Sequence, residues 1–228
     1  MILRCATMIL TPIALPDLPG LLARFDRCLD AEPVAQAAFR RIAASLERVE
    51  GDDLSLSQDC AYHAQAVALL REFGMGVIDE PPTAAYTWDG YAVRVRMEPS
   101  VIIHEVGHLQ VCAPERRTVP DFGLGAGPET GLRREADGVM SVFGLERELE
   151  EALSSLQGIL WEAELGQPAI LAFLEQNWLE GGDTPHNRAH FLKIFGQLMR
   201  YGMLDADGRP TRALREVDDA EFLTVLTR

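Results

Sequence analysis

The sequence predicts an α+β fold: one predominantly helical domain in which a small β-hairpin lies beside a helix carrying His-Glu-x-x-His. Three observations lead there. Apolar residues recur at helical spacing over most of the chain, a lone segment at 91 to 97 alternates with period two, and "VIIHEVGHLQV" at 101 to 111 sets two histidines four apart in an apolar run. A length of 228 residues suits one well-buried core. No repeat, low-complexity stretch or linker divides it, so residues 1 to 228 are read as a single metal-binding domain with an N-terminal helical part over about 17–75 and a metal-site core over about 85–205.

Taken in order, residues 33 to 49 begin with Pro33, suited to a first helical turn, and stripe Val34, Ala37, Ala38, Ile42 and Leu46 along one face. Ser57 is the expected N-cap of a second helix that runs to Gly74. Tyr91, Val93, Val95 and Met97 then alternate with Ala92, Arg94 and Arg96 behind an Asp89-Gly90 turn, which predicts a hairpin. Pro99 stops the strand and Ser100 is the expected cap of the histidine helix. The prolines and glycines between Pro114 and Gly131 predict a long irregular loop of the kind that is usually functional or mobile. From Leu132 to Leu165 the pattern is helical, broken near Gly138 or Gly144 and ended by Gly166-Gln167-Pro168; helices at about 169 to 180 and 186 to 202 and a short terminal helix complete the chain.

The formal net charge of −14 disfavours nucleic acid as a partner and favours a basic protein. Cysteines 5, 28, 60 and 112 form no C-x-x-C pair and no regular framework, which predicts free thiols in a reducing, cytoplasmic setting. The opening "MILRCATMILTPIALP" lacks a small-x-small cleavage signal, and no run of eighteen apolar residues predicts a membrane span.

On a helix, His104 and His108 project from one face with Cβ atoms roughly 6 Å apart, which suits two imidazoles on one ion. Glu105, one step from His104, can serve as a base or proton relay without being a ligand. Two unpartnered histidines and a glutamate on so apolar a helix would be costly to desolvate, and a metal removes that cost. A third ligand must come from downstream. Glu129, Glu135, Glu148, Glu150 and Glu151 are candidates; Glu151 lies on the more regular helix with Ser155 one turn on, placed to bond a ligating histidine, whereas Glu135 has no such partner. Asp121 is a second candidate to hold a histidine's other nitrogen.

These motifs resemble the elongation factor P hydroxylases, which act on a modified lysine of that translation factor. "HEVGH", Arg116-Arg117, the Asp121 to Gly123 "DFG", "EEALSSLQGILWEAELGQP" and "LEGGD" at 179 to 183 carry the resemblance, which covers roughly residues 95 to 205. Counting back from Gly166-Gln167-Pro168, the resemblance implies Glu151 as the third ligand, with Glu135 as the alternative. It also implies a two-histidine, one-carboxylate metalloenzyme, a hydroxylase and hence an oxidoreductase, with a translation factor as its protein substrate.

One divalent ion is therefore expected, and two chemistries fit it. Iron(II) leaves positions open for dioxygen, and zinc acidifies a water that Glu105 would deprotonate for attack on a carbonyl. Iron(II) hydroxylation is the leading reading, a zinc metallohydrolase or peptidase the alternative, and a non-catalytic metal-stabilised interaction module the third; the expected fold, with its hairpin beside the histidine helix, is arranged in the manner of zincins. His186, His190 and Tyr201 are available as oxyanion donors, although no spacing rule selects one. His186 and His190 repeat the four-residue spacing, but lack an adjacent glutamate and read as surface or capping residues. His63 reads as hydrogen-bonded in the core and Cys112 as a buried thiol. Arg94, Arg96, Arg116 and Arg117 read as solvated charges, and the strand at 91 to 97 as a wall of the cleft with an edge for an extended substrate.

Overall fold

Two helices that cross the centre of the molecule fix everything around them in the computed structural model. It describes residues 13–51, 54–179, 184–220 and 222. In chain order the helices are α1 (Leu18–Cys28), α2 (Pro33–Ala44) and α3 (Cys60–Glu72), then strands β1 (Gly76–Ile78) and β2 (Ala92–Arg94), then α4 (Pro99–Val111), α5 (Arg133–Gly138), α6 (Gly144–Glu164), α7 (Ala169–Glu175) and α8 (Pro185–Arg200). The central pair is α4, the histidine helix, and α6, the longest one. The fold is α+β and mostly helical, and no helix among the described residues is long and apolar enough to cross a membrane. The opening segment through residue 12, residues 180 to 183 of "LEGGD" and most of the expected terminal helix lie outside the described residues.

Apolar burial divides into two clusters joined by α4 and α6. One gathers Phe25, Phe39, Phe173 and Phe191 from α1, α2, α7 and α8 against Leu153, Leu156 and Leu160 of α6. The other packs Leu69 and Leu70 of α3, Val93 and Val95, and Ile102, Ile103 and Val106 of α4 against Phe122 and Trp161. Each such side chain contributes roughly 1.5–3 kcal/mol when fully buried. The four phenylalanines also meet at tilted or edge-on angles, with the Phe25 and Phe39 ring centroids 4.7 Å apart.

The β element differs from the expected hairpin. β2 pairs in parallel with β1, Val93 opposite Val77, and the antiparallel arm is a single bridge from Trp88 to Val93. The Asp89-Gly90 turn does form: Asp89 Oδ1 accepts from the amides of Tyr91 and Ala92, and Gly90 sits at φ 96° where a Cβ would meet the Thr118 carbonyl oxygen at 2.3 Å. The arm before the turn leaves the sheet at once, because Pro82 to Ala84 coil into a 3-10 turn. Both edges of β2 are thus occupied, since the Arg94 amide donates to the Thr87 carbonyl on the side away from β1.

Two caps also differ. Asp59 rather than Ser57 caps α3, its carboxylate accepting from the amides of Ala61 and Tyr62, while Ser57 Oγ accepts from the Asp59 amide. α4 begins at Glu98, with Pro99 in its first turn and no side-chain cap, so Ser100 lies inside the helix. The 114–131 segment is the expected long loop, packed down rather than open. It contains a 3-10 turn at Pro114–Arg116 and a tight turn at Pro120–Gly123 with left-handed backbone at Asp121 and Phe122, and it buries Arg116, Asp121, Phe122 and Leu124.

Glycine sets how closely α4 and α6 approach. A Cβ on Gly107 would lie 2.4 Å from the Ser154 carbonyl oxygen, and one on Gly158 would lie 3.3 Å from the His104 Cα. Alanine at 107 gains about 1 kcal/mol of helix propensity, yet the clash is with backbone and overpacking of this kind costs about 3 kcal/mol. Gly107→Ala is therefore expected to lower the urea midpoint, and a midpoint at or above that of the unaltered protein would refute the packing argument.

Candidate metal centre

His104 and His108 are presented by α4, and Glu151 by the facing turn of α6. Their ligand atoms all lie within 4.8 Å of one another, the one such group among the described residues. Glu151 Oε2 is 3.8 Å from His104 Nε2 and 3.6 Å from His108 Nε2. Those separations are too long for hydrogen bonds. They are close to the ~3.4 Å that separates two donors on a tetrahedral ion with bonds of about 2.1 Å. The three residues therefore fit a divalent ion better than they fit a hydrogen-bonded cluster.

Protonation agrees with that fit. Burial, reinforced by His104, drives the His108 imidazole down to about 3, leaving it neutral as a ligand must be. Burial opposes charge on Glu151, but His108, His104 and Arg147 outweigh it and hold the carboxylate at about 2. Phe122 stacks on His108 with ring centroids 5.5 Å apart and on Trp88 at 5.4 Å, fixing the imidazole plane. The backbone holds this ring under strain, with Asp121 at φ 44° and Phe122 at φ 53°.

Glu105 lines the same cleft and is 7% exposed. Burial pushes its carboxyl well above the usual range, and Asp121 and Glu151 add to the shift. The cleft encloses about 790 Å³. Its wall carries further carboxyl groups at Glu98, Glu129, Glu148 and Glu175, with Trp178 and His190 on one side.

The other third-ligand candidates fall elsewhere. Glu135 is exposed on α5 and away from the cleft, while Glu129 and Glu148 line the cleft without joining the ligand group. Glu150 points the opposite way from Glu151, into a buried cluster with Arg116 and Arg215. The expected supports of the histidines are otherwise engaged: Ser155 Oγ accepts from Trp178 Nε1 at 2.7 Å, and Asp121 accepts from the Trp88 amide and from Thr130 Oγ1. Both histidine Nδ1 atoms are buried with no partner among the described residues.

Other expectations are corrected or located by the structure. Residues 91 to 97 do not line the cleft, Arg94 being tied to the Tyr86 carbonyl and Arg96 to Asp79. Arg116 is not solvated: it is 3% exposed and pairs with Glu150 and Asp219. Arg117 bonds the Arg215 carbonyl. His63 Nε2 meets the Val95 carbonyl oxygen at 2.6 Å, and burial pushes the Cys112 thiol up to about 12. His186 and His190 gather no third ligand among the described residues; His190 instead stacks on Trp178 at 5.0 Å. Sequence reasoning missed Trp178 and Arg147. The latter stands one turn before Glu151, a spacing that could have identified it.

Fold and site together define a mostly helical α+β domain with a cleft built round a candidate His-His-Glu metal centre. Comparison with family models, with curated proteins and with solved structures finds no match.

Proposed function

We propose that this protein is a metal-dependent, hydroxylase-like enzyme, a non-haem iron oxidoreductase similar to the elongation factor P hydroxylases, with His104, His108 and Glu151 as the ligands. The convergence of those three ligand atoms inside one cleft carries the reading. Iron(II) held on one face by such a triad supplies activation of dioxygen for attack on an unactivated carbon. The chain supplies the rest. Phe122 and Trp178 give the cleft apolar walls, and Glu105 offers a buried carboxyl beside the ligands to take up or release a proton. The carboxylates at Glu98, Glu129, Glu148 and Glu175 favour a cationic side chain, in keeping with a basic protein substrate such as a translation factor. Free cysteines at 28, 60 and 112 accord with a cytoplasmic setting.

Glu105 favours a second reading, a zinc metallohydrolase in which this carboxyl takes the proton of the attacking water. A non-catalytic, metal-stabilised interaction module has no use for it. Oxygen uptake separates the readings: the iron-loaded protein, supplied with a two-electron reductant because one oxygen atom enters the product and the other leaves as water, is expected to consume dioxygen in step with hydroxylation of a lysine-bearing translation factor, and Glu105→Gln to slow this by about 100-fold. Absence of uptake, with hydrolysis of peptide substrates by the zinc-loaded protein, would transfer the assignment to the hydrolase.

A further inference from the structure

Arg147 is the one arginine in the described wall of the cleft, which has no lysine. It stands on α6 one turn before Glu151, with Nη2 3.9 Å from Glu151 Oε1, beyond hydrogen-bonding reach. Its Nε is buried with no partner among the described residues, while the rest of the side chain is 42% exposed and open to a ligand. A donor left buried and unbonded costs free energy that a ligand can recover. Guanidinium presents its Nε and Nη groups as a planar fork that matches a carboxylate. Glu98, Glu129, Glu148 and Glu175 make the rest of the charged wall acidic, so Arg147 is the side chain there that can receive an anionic group.

We propose that Arg147 receives a carboxylate group of the ligand that enters the metal site, so that this ligand is anionic where it meets α6. The inference rests on the metal-centre reading. Two sources supply such a group: a small free acid bound beside the ion, or a carboxylate carried by the substrate next to its cationic group.

The test uses the full chain loaded with zinc, a redox-inert ion, with metal content measured in every sample. Succinate and acetyl-lysyl-glutamate are titrated by calorimetry into the unaltered protein, Arg147→Lys and Arg147→Gln. Binding is expected in the unaltered protein and is expected to weaken about tenfold or more in Arg147→Gln, with Arg147→Lys in between. Tighter binding of succinate assigns the group to a free acid, and tighter binding of the dipeptide assigns it to the substrate. Equal affinity in Arg147→Gln, or no binding of either probe to loaded protein, overturns the proposal alone. Loss of zinc from Arg147→Gln also overturns it, since Arg147 would then only position Glu151. An unaltered protein that holds no zinc overturns the metal centre and this proposal with it.

Discussion

Replacement of Arg116 by alanine is expected to destabilise the fold by about 3–5 kcal/mol, the cost of stranding a buried charge. Arg116 donates to Glu150 Oε2 at 2.5 Å, to both oxygens of Asp219 and to the Phe122 carbonyl at 2.6 Å, in a place where neither its own side chain nor that of Glu150 exceeds 4% exposure. Arg215, at 3.7 Å from Glu150, remains as a weaker counter-charge. The consequence reaches the cleft. Glu150 precedes Glu151 on α6, and Phe122 packs on His108, so the same guanidinium anchors two elements that shape the ligand group. Urea unfolding should show the loss, and Arg116→Met combined with Glu150→Leu should restore part of it, because the buried Glu150 charge goes too and Asp219 keeps Arg215, although the Phe122 carbonyl loses its donor. A single variant within about 1 kcal/mol of the unaltered protein, the range of a surface pair, would mean that the cluster is solvated.

The second large effect is on metal retention. Glu151→Ala removes one of three donors that converge within 4.8 Å, and Glu135→Ala changes an exposed side chain on another helix. Glu151→Ala is expected to lose the ion on dialysis and Glu135→Ala to keep it in full. Loss of a first-row ion through one ligand is a large effect because the site has only three protein ligands to begin with. Retention by Glu151→Ala together with loss from Glu135→Ala would exclude the α4–α6 centre.

The elements that carry this chemistry were legible because each is written locally. The two histidines lie four apart on a strongly apolar helix, and the break between α5 and α6 falls at the glycines. Glu151 needed a resemblance, since five acidic residues competed and helical spacing alone does not reveal which turn of α6 faces His108. The hairpin was misread because the alternation of residues 91 to 97 states which side chains are buried but not which strand lies alongside, and Gly76–Ile78 is too short to declare itself. Ser57 and Asp59 are both good caps two residues apart, and residue type alone does not say at which of them the first turn of α3 begins. Arg116 looked solvated because its partners stand 34 and 103 residues away. Trp178 reaches the cleft through its bond to Ser155, which no sequence spacing encodes.

Whether His104, His108 and Glu151 hold one divalent ion is tested most directly by metal content, read by mass spectrometry on protein purified without oxygen and without an affinity metal. Close to one equivalent of iron is expected in the unaltered protein and none in Glu151→Ala; equal, trace amounts of every metal in both would contradict the assignment of the triad.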